Sequence, residues 1–320
     1  MSGRVRAQGR ARAWADLFRV SALLSVPGDA LAGAATAGAR PGRGTLHAIG
    51  ASLCLYEAGM ALNDWADREE DARERPHRPL PSGRVTPAAA LAVSAALTLA
   101  GLGLASRAGR PALATATALA TTVWAYDLGL KHTPAGPATM AAARALDLLL
   151  GAVASTTATP STRTATASTT GTPSTRTVTA TPAGPGPRPA RALPAAALLG
   201  AHTYAVTATS RHETQGGSTR TPLAALAVTL AVAAGTSRAG ASPFGTLLAL
   251  TYARTPATLL LHAALNPSAA LTERAVAGGI RATIPLQAAL AARGGAPGTA
   301  LALLGLIPAA RAFARKVSPT

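Results

Sequence analysis

Acidic side chains are concentrated in one short part of this sequence. Seven of its 13 acidic residues lie between residues 57 and 74. Three of them, Asp64, Asp67 and Asp71, are spaced so that a helix places them within about 60° of one another. Mg2+ prefers oxygen ligands and often binds through carboxylates together with substrate phosphates. The spacing therefore predicts that these residues hold Mg2+ on a diphosphate, with help from Asn63.

The same acids have a purely structural explanation, a solvated helix end with salt bridges to Arg68 and Arg75. We favour the metal site because a chain with few acids has placed seven of 13 here. Three further acids of the run are assigned to the solvated face: Glu69, Glu70 and Glu74.

A stiff loop follows the acids. Residues 75–84 contain three prolines, and Gly83 permits a tight turn. Arg78 and Arg84 are the side chains in this loop that are suited to contact phosphate oxygens. Taken alone, the loop is also compatible with a rigid turn into the next helix.

Transmembrane helices are the elements that must position these residues. The 320 residues are 48% apolar and 13% charged, with a mean hydropathy of +0.25, whereas soluble domains carry about 25% charged residues. A span needs about 20 mainly apolar residues, and we expect about nine spans. Ten segments are candidates: 18–37, 45–62, 87–106, 111–129, 137–154, 192–210, 222–238, 243–264, 270–291 and 297–313.

Three helix starts are predicted by a hydroxyl residue followed by proline. A hydroxyl side chain caps the free backbone N–H groups, and proline is favoured at the first helical position. The pairs are Thr86-Pro87, Thr221-Pro222 and Ser242-Pro243.

The net charge of +17 raises the question of a nucleic-acid partner. Only 3% of residues are aromatic, and the arginines are spread over many short loops, so no basic stripe with stacking aromatics is present. Arginines that flank spans and meet lipid phosphates fit better. We therefore predict no nucleic-acid partner and a multi-pass protein of the cell membrane, in contact with membrane lipid.

The arginine-rich N-terminus predicts the orientation of the chain. If it lies in the cytoplasm, the loops 63–86, 130–136 and 211–221 all face the cytoplasm. The three loops with polar residues of interest are then united on one side of the membrane.

Residues 155–191 differ from the rest in composition. They are rich in Ser, Thr, Pro and Arg and contain the near repeat TPSTRTATAS and TPSTRTVTAT, which predicts a disordered insertion. The predicted organisation is a basic tail (1–17), the first part of the bundle (18–154), the insertion (155–191), the second part of the bundle (192–313) and a C-terminal tail (314–320).

Several ionisable residues fall inside predicted spans, where a charge is costly and faces a cavity or a partner. Arg144 and Asp147 are three residues apart and are spaced to pair with each other. Asp29 follows a Pro-Gly pair that could interrupt the first span near a cavity. Glu57 lies one heptad before Asp64 and is expected to line the same cavity.

The run NDWADREEDARERPHRPLPSGRV, residues 63–85, closely resembles the first aspartate-rich signature of the UbiA superfamily. Its pattern, NDxxDxxxD followed by RPxPSG, is matched at every position. The family consists of intramembrane prenyltransferases that use Mg2+ and an isoprenyl diphosphate. The resemblance implies an all-α membrane protein, a bundle of about nine transmembrane helices with a central cavity opening near the cytoplasmic side. It also implies transfer of an isoprenyl group to an acceptor that the sequence does not identify.

Further fragments resemble the same family. The run YDLGLK looks like its Tyr…Lys element, which implies that Lys131 contacts the diphosphate and that Tyr126 shapes the site; an interfacial Tyr and a snorkelling Lys are the simpler explanation. The stretches LKHTPAGPATMAAARALDLLLG and AVAGGIRATIPLQAALAARGGAP look like the actinobacterial EboC-like branch.

One departure from the family pattern concerns its second aspartate-rich motif. The corresponding loop here, residues 210–217, has Glu213 as its one acidic residue. Glu213, with Gln215 or His212, is the candidate for a second set of metal ligands. The change implies altered substrate binding or lost catalysis, and a glutamate in this loop is also a feature of the EboC-like branch.

Other functional classes stay open at this point. A non-catalytic membrane protein that binds or transports a lipid would explain the altered second motif, but a transporter leaves the RPLPSG run unexplained. A soluble helical isoprenoid synthase would also use aspartate-rich motifs, but the apolar segments here lack polar faces.

Overall fold

The computed structural model of the chain describes residues 12–18, 25–157, 186–213, 218–237 and 242–317, the side chains of the last helix up to residue 308. Most of the predicted basic tail, residues 158–185 of the predicted insertion and the end of the C-terminal tail lie outside these ranges. The described residues form helices and connecting turns, which confirms the all-α prediction.

Twelve α-helices are described. The first, α1, covers residues 12–17. The others are α2 (Val26–Thr36), α3 (Arg43–Ala66), α4 (Arg68–Glu74), α5 (Pro87–Arg107), α6 (Arg110–Leu128), α7 (Gly136–Thr157), α8 (Leu193–Ser210), α9 (Arg220–Thr236), α10 (Pro243–Leu265), α11 (Ala269–Arg293) and α12 (Pro297–Val317). Short 3-10 helices cover Leu130–His132 and Pro189–Ala192.

Nine of the ten predicted spans coincide with a helix to within a few residues. The first, 18–37, contains α2, which begins at Val26, while residues 19–24 of this span lie outside the described ranges. Among the described residues, the helices α5, α7 and α11 are long and apolar enough to cross a membrane, and α9 and Pro297–Pro308 are shorter apolar helices. The expected number of nine spans stays a prediction.

The ends of the predicted insertion are ordered. The α7 helix continues to Thr157, whose hydroxyl donates to the Ala108 carbonyl at 2.8 Å. After the gap, the Arg188 N–H donates to the Ala37 carbonyl at 3.0 Å. The borders predicted at residues 155 and 191 therefore lie within regular structure.

Two of the three predicted helix starts are confirmed. Thr86 Oγ1 accepts the Ala89 N–H at 3.3 Å, and Ser242 Oγ accepts the Gly245 N–H at 3.1 Å. The start at Thr221 was wrong, because α9 begins at Arg220. The N-cap is Thr219, two positions before the one predicted, and its side chain makes no capping hydrogen bond. The Ser218 hydroxyl accepts the Thr221 N–H at 3.2 Å instead.

Glycines let α2 and α7 approach closely. A Cβ atom at Gly33 would lie 2.0 Å from the Leu148 carbonyl oxygen, and one at Gly151 would lie 2.3 Å from the Ala30 Cα atom. Small residues at such contacts let helix backbones approach in membrane bundles. The close approach places Asp29 of α2 opposite the polar side chains of α7.

Candidate functional site

Arg78 links two of the three predicted metal ligands. Its Nη1 atom lies 2.7 Å from Asp71 Oδ2 and 3.5 Å from Asp64 Oδ1. Both aspartates are buried, with 4% and 2% of Asp64 and Asp71 exposed. Arg75 adds a longer contact to Asp71 at 3.6 Å. The geometry is therefore a pair of buried carboxylates held by one guanidinium.

Asp67 lies at the junction of α3 and α4, where the helical hydrogen bonds continue: its N–H donates to the Asn63 carbonyl at 2.9 Å. Its side chain faces a different cation, since Lys131 Nζ lies 2.5 Å from Asp67 Oδ1. His132 Nε2 lies 3.9 Å from the same oxygen. Among the described residues, the carboxylates of Asp67 and Glu70 and the His132 ring form a group whose ligand atoms lie within 4.8 Å of one another.

The solvated face of the run is as predicted, since Glu69, Glu70 and Glu74 are exposed. Glu70 nevertheless belongs to the group of possible metal ligands around Asp67. Arg68 does not pair with the aspartates as the structural explanation supposed; it bonds Glu69 and stacks over Trp65.

The third polar loop contacts the second. Arg211 Nη1 donates to the Thr133 carbonyl at 2.6 Å, while Lys131, two residues away, binds Asp67. The three loops therefore lie on one face, as predicted. Glu213 is partly buried in this loop. Burial raises the pKa of its carboxyl group, and the nearby Glu273 carboxylate adds to the rise.

Arg84 contacts other partners than Asp64, Asp67 and Asp71. Its guanidinium donates to Asp16 Oδ2 at 3.0 Å and to the His77 carbonyl at 2.7 Å. These contacts tie the proline-rich loop to α1. The Arg84 side chain is therefore not placed for the phosphate contact predicted for it, whereas the Arg78 side chain lies beside the aspartates of the run.

A cavity of about 270 Å3 opens beneath the aspartates, between α3, α6 and α7. Asn63, Tyr126 and Asp127 line its mouth, and Asn63 Nδ2 donates to Asp127 Oδ1 at 3.1 Å. Its walls are mainly apolar, formed by Leu55, Met60, Leu119, Val123, Met140 and Ala143. Tyr126 thus lines the cavity, and its role in shaping the site stays a prediction.

Polar side chains close the inner end of the cavity. Ser52, Arg144 and Asp147 line it, and the Ser52 hydroxyl donates to Asp147 Oδ1. Behind them, Arg144 Nη1 pairs with the fully buried Asp29 at 3.0 Å, and Gln287 Nε2 donates to Asp29 Oδ1 at 2.7 Å. These five residues, from α2, α3, α7 and α11, are called the inner cluster.

The inner cluster corrects two expectations. Arg144 and Asp147 were expected to pair with each other, but their closest polar partners lie on other helices, because both side chains project from α7 towards α2 and α3. Glu57 was expected to line the cavity, yet among the described residues the lining passes from Tyr56 to Gly59.

The residues at the mouth fit a divalent cation with a diphosphate. Asp64, Asp67 and Asp71 offer oxygen ligands only, as Mg2+ prefers. The two cations that hold them, Arg78 and Lys131, are suited to bind phosphate oxygens. Lys131 Nζ is buried and forms an ion pair with Asp67, but it makes no hydrogen bond of normal geometry in the described part of the structure. Its N–H groups can therefore donate to a ligand.

Asp127, Ser52 and Gln287 were missed by sequence reasoning. Asp127 is 5% exposed and directly follows Tyr126, so its place in the run YDLGLK was the signal that could have identified it. Ser52 and Gln287 lie in apolar runs with no local signal. Only the packing of their helices reveals them.

Comparison with known proteins gives a family. Residues 26–277 match the model of the UbiA prenyltransferase family. Curated relatives include digeranylgeranylglyceryl phosphate synthases of Methanothrix thermoacetophila, 40% identical over 36% of this chain and 42% of the relative, and of Methanopyrus kandleri, 35% identical over 38% and 45%. The chain thus spans about half the length, or less, of these two relatives.

Solved structures share the fold. A UbiA homolog from Aeropyrum pernix has a TM-score of 0.62 at 16% identity and covers 84% of this chain and 96% of that one. A UbiA homolog from Archaeoglobus fulgidus, bound to GPP and Mg2+, has a TM-score of 0.57 at 15% identity and covers 89% and 99%. At these identities the likeness concerns the fold, and it confirms the predicted helical bundle.

Proposed function

The chain belongs to the UbiA prenyltransferase family, an integral membrane family, and on that basis we propose that it transfers an isoprenyl group from an isoprenyl diphosphate to an acceptor within the membrane. The observation that carries the proposal is the arrangement at the cavity mouth. Arg78 holds the carboxylates of Asp64 and Asp71, and Lys131 holds that of Asp67. Asn63, next to Asp64 in the sequence, lines a mainly apolar cavity.

The polar residues of the mouth bind the donor diphosphate. Asp64, Asp67 and Asp71 hold Mg2+, which when bound supplies positive charge to the diphosphate as it leaves. Arg78 and Lys131 move from their aspartates to the phosphate oxygens, so that they stabilise the same developing negative charge. Asn63 and Tyr126 position the donor where the mouth narrows into the cavity.

The cavity controls the fate of the isoprenyl group. As the allylic C–O bond breaks, its electron pair leaves with the diphosphate, and the apolar walls exclude water from the carbocation. An acceptor in the cavity then attacks the carbon that carried the diphosphate and loses a proton. Leu55, Leu119 and Val123 form the walls that favour this acceptor over water.

The acceptor class is open within this proposal. The archaeal relatives are digeranylgeranylglyceryl phosphate synthases, so a glyceryl phosphate lipid is one class to test. The closer assignment to the EboC-like branch stays a prediction, since it rests on two sequence stretches. We place the protein in the cell membrane, with the aspartate-rich face towards the cytoplasm.

Diphosphate release by detergent-purified protein tests the proposal. We would supply geranyl, farnesyl and geranylgeranyl diphosphate with Mg2+ and compare the wild type with Asp64→Ala. Release should require Mg2+, stop on chelation with EDTA and be lost in the variant. Glu74→Ala, which removes an exposed acid of the same run, is the matched control and should behave as the wild type.

The same assay separates catalysis from lipid binding alone. Donor binding without release by the wild-type protein, across all three diphosphates and with candidate acceptors such as a glyceryl phosphate lipid present, would contradict the proposed transfer and favour a non-catalytic lipid-binding protein. Release by Asp64→Ala at the wild-type rate would contradict the assignment of the aspartates.

A further inference from the structure

Two arginines lie at the middle of the helical hairpin formed by α10 and α11. Arg254 is the twelfth of the 23 residues of α10, and Arg281 is the thirteenth of the 25 residues of α11. Helix α11 is long and apolar enough to cross a membrane, and α10 packs along it. Since a helix rises about 1.5 Å per residue, each arginine lies at least about 16 Å along its helix from either end.

The packing of the hairpin places the two arginines at nearly the same depth. A Cβ atom at Gly278 would lie 2.4 Å from Leu259 Cδ1, so these two residues face each other across the antiparallel helices. Arg254 lies five residues before Leu259, and Arg281 lies three residues after Gly278. Both steps lead away from the turn, by about 7.5 Å and about 4.5 Å, so the arginines differ in depth by about 3 Å.

Both arginine side chains are exposed on the outer surface of the bundle. Within the described part of the chain, neither guanidinium forms an ion pair or a side-chain hydrogen bond. Arg144, which also lies inside a helix, differs in this respect, because it pairs with the buried Asp29 at 3.0 Å. The two arginines of the hairpin therefore lack the kind of partner that the chain itself gives to Arg144.

A lipid bilayer does not readily supply that partner. Its hydrocarbon core is about 30 Å thick, so lipid phosphates lie about 15 Å from its middle. A charge at this depth is costly, and arginines within spans usually face a cavity or pair with another group. Arg254 and Arg281 line neither of the two cavities found among the described residues. An anion from outside the chain, held at mid-depth, would remove the cost.

A second copy of this chain does not offer such an anion. All 13 acidic residues of the sequence lie within the described ranges. The exposed acids lie near helix ends: Asp16, Glu69, Glu70, Glu74 and Glu273. Near the middle of α3, Glu57 has both carboxylate oxygens buried. The anion therefore belongs to a different molecule.

Apolar side chains around the arginines fit a further helix. On α10, Leu247, Leu250 and Leu261 are 59%, 63% and 42% exposed. Together with Arg254 they are spaced by three, four and seven residues, which places them in one stripe along the helix. Ile280, next to Arg281 on α11, is 62% exposed. We call these six residues the arginine face.

We propose that the arginine face docks a transmembrane helix of a second protein, and that this helix carries an Asp or Glu near its middle. The carboxylate accepts charge-assisted hydrogen bonds from Arg254 and Arg281. Apolar residues one and two turns away on the partner helix pack on the leucine stripe of α10. The inference does not depend on the proposed chemistry, because the arginine face lies outside the cavity and its mouth.

Synthetic helices test the arginine face. A peptide with about 20 Leu and Ala residues, flanked by lysines, spans a bilayer and would carry Asp, Asn or Leu at its centre. The full chain would be reconstituted in phosphatidylcholine nanodiscs, and energy transfer between labelled peptide and labelled protein would measure binding, with the Leu peptide as background. We expect the Asp peptide to bind at least about 10-fold more tightly than the Asn peptide, because only the carboxylate forms an ion pair. Equal binding of these two peptides, or no binding of the Asp peptide, would overturn the proposal.

A pair of double variants locates the binding. Arg254→Leu with Arg281→Leu should reduce binding of the Asp peptide to that of the Leu peptide. Arg107→Leu with Arg110→Leu is the matched control, since both arginines are exposed but lie at helix ends. The control should bind the Asp peptide as the wild type does. Wild-type affinity for the Asp peptide in the first double variant would overturn the proposal.

Anionic lipid is distinguished in the same system. Thermal unfolding of the wild type and of Arg254→Leu with Arg281→Leu would be compared in nanodiscs with and without phosphatidylglycerol. The proposal predicts that phosphatidylglycerol changes the unfolding temperature of both proteins by the same amount. A rise in the wild type alone, with no binding of the Asp peptide, would assign the arginine face to lipid phosphates and overturn the proposal.

Discussion

The two ends of the cavity carry acids in different settings. At the mouth, Asp64, Asp67 and Asp71 lie within eight consecutive residues and contact the cations Arg78 and Lys131, which are supplied by loops. At the inner end, Asp29 and Asp147 come from separate helices and are buried, Asp29 paired with Arg144 and Asp147 bonded by Ser52.

The difference indicates how each end works. The cations of the mouth, Arg78 and Lys131, lie outside the long helices, so they can exchange partners when a metal and a diphosphate arrive. Pairs at the inner end join different helices, so they hold those helices in place. The predictions below separate these two roles.

The largest effect is expected at the mouth. Asp71→Ala removes the carboxylate that binds Arg78 at 2.7 Å and Arg75 at 3.6 Å. Loss of a charged group that acts on the transition state should reduce diphosphate release by on the order of 10³-fold. Release rates with purified protein at saturating Mg2+ would measure it, and a loss under threefold would contradict it.

The second-largest loss of diphosphate release is expected for a change at Arg78. Arg78→Ala leaves the buried Asp64 and Asp71 without their shared cation, and we expect release to fall by about 100-fold. The exposed Arg73, whose guanidinium bonds only the Glu69 carbonyl among the described contacts, is the control. Similar rates of diphosphate release for Arg73→Ala and Arg78→Ala would contradict the role assigned to Arg78.

Packing beneath the inner end can be disturbed without touching the mouth. A Cβ at Gly151 would lie 2.3 Å from the Ala30 backbone, so Gly151→Ala should push α2 from α7 and lower stability by about 1–3 kcal/mol. Gly103 has no atom within 4 Å of such a Cβ. Gly103→Ala should therefore stabilise α5 slightly. Thermal unfolding in detergent compares them, and equal shifts would contradict the close approach.

The smallest effect is expected for Glu213. It is the candidate for a second metal-ligand set, and its neighbour Glu273 disfavours the ionised form. Glu213→Gln should raise the Mg2+ concentration needed for half-maximal release by about three- to tenfold. A Mg2+ titration tests this, and an unchanged midpoint would show that the first aspartate-rich run is sufficient.

How far each end of the cavity could be predicted depends on whether its residues lie close together in the sequence. Asp64, Asp67 and Asp71 form a short pattern with a helical period, so the proximity of Asp64 and Asp71 to Arg78 follows from local structure. Ser52 bonds Asp147 because α3 packs against α7, and Gln287 bonds Asp29 because α11 packs against α2. No local pattern reveals either contact. The helices were predicted from apolar length, whereas the partner of Arg144 depended on which helix lies opposite it.

The separation of the two ends is the central claim, and one comparison tests it directly. Diphosphate release from geranyl diphosphate would be measured for the wild type, Asp67→Ala and Asp147→Asn at saturating Mg2+. The account predicts that release is lost in Asp67→Ala and retained in Asp147→Asn. Release retained in Asp67→Ala, or lost in a correctly folded Asp147→Asn, would contradict it.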